Sequence, residues 1–142
     1  MAITEYHGWF EGVGELGFVS DPTALFQNGS LLQAIGIQVM DPNSYFVDYT
    51  INANDGGFYG FASNGEFVGN KDAGKFITAV VINFSVNGGI SNLFKSLPNL
   101  ACQVKPRGGD WQSIQFSDMG KRRTYTSGIF PNGIEGLQMI QS

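Results

Sequence analysis

A chain of 142 residues and 15.4 kDa is enough for one domain and short for two. Twenty glycines, 14% charged residues and 42% hydrophobic residues exclude a disordered chain, a helical bundle and a collagen repeat, and leave a turn-rich all-β domain. The net charge of −4 is unevenly spread: residues 1–70 carry eight carboxylates and no lysine or arginine, and all eight basic residues lie in 71–142.

Three units follow one another. The first opens on a strand over Ile3–Phe10, passes through Gly14-Glu15-Leu16-Gly17-Phe18-Val19-Ser20-Asp21, and closes on a strand over Leu32–Val39. The second opens over Tyr45–Ile51, passes through Gly57-Phe58-Tyr59-Gly60-Phe61-Ala62-Ser63-Asn64, and closes over Ile77–Phe84. The third opens over Leu100–Lys105, passes through Asp110–Asp118, and closes over Ile134–Ile140. The closing segments alternate apolar and polar residues, which marks a strand with one buried face. The small residues Ala34, Ala79 and Gly136 recur at their third position, where a neighbour must approach closely. Asp21-Pro22, Asn28-Gly29, Asp41-Pro42, Asp55-Gly56, Asn64-Gly65 and Asn132-Gly133 supply turns.

Phe18, Phe61 and Phe116 align in register with those small residues, which gives repeats of about 45 residues over approximately 1–41, 42–86 and 99–142 in a single domain, 1–142. Residues 87–98 form an insertion that reads as a Gly-Gly turn, a Ser91 cap and one helical turn stopped before Pro98. Units this short share one core, and two all-β architectures close three of them about a pseudo-threefold axis: a β-prism, which the aromatic-glycine patches favour, and a β-trefoil.

The unit resembles the clostridial hydrophobic-tryptophan (ChW) repeat, a surface module with Gly-Trp, a second aromatic, a Gly-rich turn and a Leu-Glu-Ala-Ile-type strand. Gly57-Phe58 and Asp110-Trp111 stand where Gly-Trp would be, and Phe61 and Ile114 at the second aromatic position. Leu32-Gln33-Ala34-Ile35 and Ile134-Glu135-Gly136-Leu137 match the final strand, whereas the tryptophan is replaced by Glu15 in the first copy and Phe58 in the second. Gly17-Phe18-Val19-Ser20-Asp21 is also similar to the Gly-x-x-x-Asp sugar loop of jacalin-like β-prism lectins, and Gly60-Phe61-Ala62-Ser63-Asn64 follows it with an amide. These resemblances imply a surface or sugar-binding module.

The residues themselves suit the same chemistry. A pyranose offers hydroxyls around an apolar C–H face, so short polar side chains in glycine-containing loops and an aromatic ring are what it needs. Asp21, Asn64 and Asp118 each follow a serine, Gly17 and Gly60 open the loops, and Phe58, Tyr59 and Trp111 are candidate stacking rings. The same dipeptides make hairpin turns with no ligand, and the same aromatics fill cores. Catalysis has no motif: His7 is the single histidine, and Cys102, in an apolar run, reads as a buried hydrophobe. No metal or other cofactor is expected. Lys121-Arg122-Arg123 is too short for a nucleic-acid footprint, and no apolar run approaches the ~18 residues of a membrane span.

The expectation is therefore a non-enzymatic lectin with up to three shallow sites, whose partners are glycans or glycoconjugates, with no nucleic acid and no membrane insertion. The charge polarity suits steering or head-to-tail assembly into a homo-oligomer, although an even surface scatter explains it as well. The alternatives are a structural, adhesion or virion-surface module that binds protein, or the receptor-binding part of a toxin complex. With no basic n-region before an apolar stretch, cytoplasmic synthesis without a signal peptide is expected, with release or surface association left open.

Overall fold

The computed structural model describes residues 1–141. Its elements run β1 (Thr4–Phe10), β2 (Gly14–Ser20), β3 (Leu25–Phe26), β4 (Leu32–Val39), β5 (Tyr45–Ala53), β6 (Ala62–Ser63), β7 (Val68–Gly69) and β8 (Ile77–Val86). A 3₁₀ turn, Ile90–Asn92, precedes β9 (Leu100–Pro106), β10 (Gln112–Ser113), β11 (Gln115–Asp118), β12 (Arg122–Thr126) and β13 (Ile134–Gln141). The protein is all-β, with three antiparallel sheets in the orders β2-β1-β4-β7, β10-β9-β13-β3 and β11-β12-β8-β5-β6. We call them the first, second and third sheets. Each contains a short strand from elsewhere in the chain: β7 closes the first, β3 the second, and β12 joins the third.

Alternation sets which faces meet. On β1, Tyr6 and Phe10 point inward beside Ile37, Ile35 and Leu32 of β4, whereas Glu5, His7 and Trp9 face outward opposite Gln38, Gly36 and Ala34. A bulge between Trp9 and Phe10 keeps both faces in phase. The inner faces of all three sheets meet in one core, with Ile51, Ile77, Ile82, Phe84, Cys102, Val104, Leu137 and Met139 buried. Burial raises the Cys102 thiol well above its ordinary range, so it serves as packing.

Three tyrosines, the largest fully buried side chains, join the sheets pairwise. Tyr6 of the first sheet donates to the Thr23 carbonyl and accepts from the Met139 amide of the second sheet at 3.1 Å. Tyr49 of the third donates to the Glu66 carbonyl at 2.6 Å, just before β7 of the first. Tyr125 of the third donates to the Leu100 carbonyl of the second. Burial raises the hydroxyls of Tyr6 and Tyr49 to about 12, and raises that of Tyr125 as well.

A folded pKa above the ordinary value near 10 contributes stability that is intact below pH ~10 and is lost as pH climbs through the folded value. Alkaline titration followed by circular dichroism therefore shows a level plateau to about pH 10 and loss of structure between about 10 and about 12. Tyrosinate signals of Tyr6, Tyr49 and Tyr125 rise together with that loss rather than ahead of it. Early titration of these three in a folded chain contradicts the sheet-joining roles.

One local expectation changes. Residues 87–98 hold only a three-residue 3₁₀ turn, and its N-cap is Gly89, at φ 110, rather than Ser91, which lies inside the turn. The patch Gly57–Asn64 supplies the two-residue strand β6 and an isolated bridge from Phe58 to Asn52.

Candidate functional site

The hairpin of β11 and β12 forms the outer edge of the third sheet. Its register sets Asp118 opposite Arg123 and Phe116 opposite Tyr125. Alternation puts these four on one face, while Gln115, Ser117, Thr124 and Thr126 share the other. A cleft of about 180 Å³ lies on the first face, lined by Asn99, Leu100, Ala101, Phe116, Asp118 and Arg123.

Arg123 organises this cleft. Its side chain is only 6% exposed, and its Nε and Nη2 donate to Asp118 Oδ2 at 3.2 and 2.9 Å. Nη1 donates to the Pro98 carbonyl at 2.9 Å and to the Tyr125 hydroxyl at 3.3 Å. Burial works against its charge, but hydrogen bonds to Tyr125 and Asp118 outweigh it and hold the guanidinium above its ordinary value. Asp118 is thus fixed by two charge-assisted bonds on one oxygen. Its other oxygen, in a side chain 43% exposed, has no partner among the described residues. The Phe116 ring is 52% exposed, 5.1 Å from the guanidinium and 5.5 Å from the Tyr125 ring. A fixed carboxylate oxygen beside an exposed ring is what a hydroxylated ring with an apolar face requires.

The other expected site residues are dispersed. Asp21 is buried and its carboxylate is committed: Oδ1 accepts from the Ile3 and Thr4 amides and the Thr4 hydroxyl, and Oδ2 from Gln141. Burial opposes its ionisation, but these bonds prevail and hold its pKa below the usual carboxylate range. Asp21 ties both chain termini to β2 and leaves no free oxygen for a sugar. Asn64 is exposed at φ 56, and the following Gly65 at φ 81 completes a tight turn, closed by the Glu66 amide donating to the Ser63 carbonyl at 3.1 Å, between β6 of the third sheet and β7 of the first. That turn lies against the first sheet, where a Cβ on Gly65 would sit 3.1 Å from Phe18. Gly17 and Gly60 face open space. Phe58 is 57% exposed, whereas Tyr59 is half-buried, 3.5 Å from Asp55 through its hydroxyl. Trp111 lies across Gly136, where a Cβ would come within 2.7 Å of its ring, and meets Phe26 edge-on at 6.2 Å. Glycine at 136 therefore serves this ring, the close neighbour its position required.

A second cluster covers the outer face of the first sheet. His7 is stacked between Phe18 and Phe67 at 4.0 and 4.1 Å, and Lys71 Nζ sits 4.5 Å from Phe67 and 4.6 Å from Trp9. His7 Nε2 donates to the Gly65 carbonyl at 2.6 Å, and Nδ1 lies 3.1 Å from Glu15. Phe18, His7, Phe67, Lys71 and Trp9 form a continuous stack, so ring faces here are already occupied by protein. Of its aromatic rings only Phe18, at 42%, is exposed.

Among the described residues no group of three or more His, Cys, Asp or Glu is placed to hold a metal ion. Comparison with protein-family models, curated proteins and solved structures finds no match to this chain.

Proposed function

We propose that the chain is a non-enzymatic carbohydrate-binding protein whose best-formed site is the Phe116–Asp118–Arg123 cleft. The observation that carries this reading is the pre-set Asp118 oxygen beside an exposed phenyl face. A saccharide hydroxyl donates to that oxygen, the C–H face of the sugar lies on Phe116, and Asn99 at the rim supplies an amide donor and acceptor. Rigid placement by Arg123 lowers the ordering cost of binding.

We further propose that the three sheets form a β-prism with pseudo-threefold symmetry. Two things support it. In every sheet the first and last long strands of one repeat lie side by side, with a short strand of another repeat next to the last. The aligned Phe18, Phe61 and Phe116 are all exposed, at 42, 58 and 52%. Related sites at Phe18 and Phe61 would be weaker, since Asp21 is engaged elsewhere and Asn64 sits in a tight turn. Several weak sites strengthen attachment to a multivalent surface through effective concentration.

A glycan array probed with the folded chain tests the proposal. Reproducible binding to one saccharide class is expected, and a blank array from a sample with intact circular dichroism overturns it.

A further inference from the structure

The insertion at 87–98 is built inside out. Its polar Asn92 is buried, with Nδ2 donating to the Asn43 carbonyl at 3.0 Å, while Ile90, Leu93 and Phe94 are 93, 59 and 95% exposed. Folding alone favours the reverse arrangement. The turn is also held in place. Asn87 donates to the carbonyls of Pro42 and Tyr45, Leu97 is buried, and Lys121 Nζ donates to the carbonyls of Asn92, Leu93 and Lys95. Three apolar side chains are thus presented on an anchored convex tip, and Lys121 connects it to the β11–β12 hairpin, whose Met119 is 80% exposed.

The surrounding charge is predominantly positive. Segments 87–98 and 119–123 contain no acidic residue, and the neighbouring carboxylates are engaged, Asp41 by Ser44 beside Lys95 and Asp118 by Arg123. Lys95, Lys121 and Arg122 remain as a cationic collar. Apolar side chains projecting beyond cations match the cross-section of an anionic bilayer surface, where hydrocarbon lies beneath charged headgroups. A protein groove would also take the apolar tip, but it gives no reason for three cations to surround it with every neighbouring carboxylate engaged.

We propose that this tip docks the protein on anionic lipid surfaces, with Phe94, Leu93 and Ile90 entering the headgroup boundary. Among the described residues no helix is long and apolar enough to cross a membrane. A surface contact needs only a few side chains, so the expectation of no membrane insertion, which rested on the lack of a span, does not reach this turn.

The test is co-sedimentation of the full chain with phosphatidylcholine vesicles, with and without phosphatidylserine. Binding is expected only with phosphatidylserine, weakened by added salt. Phe94→Ser lowers the partition coefficient about tenfold or more, and since that ring is already in solvent the thermal midpoint stays put. Arg122→Glu weakens binding as well. Failure to bind anionic vesicles, or binding unchanged by Phe94→Ser, overturns the proposal. So does a tip that captures a purified soluble protein while ignoring lipid.

Discussion

Gly69→Ala is expected to destabilise the fold by about 3 kcal/mol or more, lowering the thermal midpoint by on the order of 10 °C. Gly69 lies at φ 137, a backbone conformation that L side chains rarely adopt. A Cβ there would stand 2.2 Å from the Gln33 carbonyl oxygen and 2.6 Å from Ala34 Cα, both backbone atoms that no rotamer change can move. Overpacking costs roughly 1–3 kcal/mol, and a strained backbone adds on the order of 1–3 more. The opposing gain, a less flexible unfolded chain, is only about 0.4–1 kcal/mol. The clash wins, and its consequence is specific: β7 is forced off β4, uncovering Val68 and withdrawing Phe67 from His7. Gly17→Ala is the control, since Gly17 faces open space at an ordinary φ, and it shifts stability by no more than about 0.5 kcal/mol. A Gly69→Ala chain within about 2 °C of the parent contradicts the close packing of β7 on β4.

Asp118→Asn is expected to lower affinity for the best glycan ligand by about tenfold or more. A hydrogen bond to a charged acceptor contributes roughly 1.5–3 kcal/mol, and each 1.4 kcal/mol is a factor of ten. The amide keeps the shape of the carboxylate but removes its charge from Arg123, so the cleft loses both its charged acceptor and the ion pair that fixes it. Phe116→Ala isolates the ring: with the ion pair intact, affinity falls several-fold, in line with the ~0.5–1.5 kcal/mol of an aromatic contact. Isothermal titration on chains with matched thermal midpoints measures both. Full affinity in Asp118→Asn removes this cleft as the site.

Much of the frame was legible in the residues. The alternation of Leu32–Val39 marks β4 to the residue, and β1, β5, β9 and β13 differ from their expected spans by two residues or fewer. Those strands announce themselves because one face must be apolar. The two-residue strands β3, β6, β7 and β10 cannot, since two residues have no period. The exchange of β3, β7 and β12 between sheets depends on contacts far apart in sequence, to which a local pattern is blind.

The site was less legible. Asp21 and Asp118 both follow a serine, yet the carboxylate of Asp21 is engaged by Gln141, 120 residues away, and Asp118 at the end of β11 is open. Pro22 marks a turn after Asp21 but carries no sign of that distant contact. Arg123 sits in a basic triplet that reads as surface charge, although its neighbours carried a usable signal. The alternation Arg123-Thr124-Tyr125-Thr126 puts the guanidinium on the face of a buried tyrosine, where it needs a carboxylate partner.

The proposed function places a sugar in the cleft between Phe116, Asp118 and Arg123. The most direct measurement is an amide-resolved nuclear magnetic resonance titration of the isotope-labelled chain with the strongest saccharide from the array. Saturable shifts are expected at Asn99–Ala101, Phe116–Asp118 and Arg123, with weaker changes around Phe18 and Phe61. Shifts that leave Phe116–Asp118 unmoved and cluster elsewhere contradict that placement.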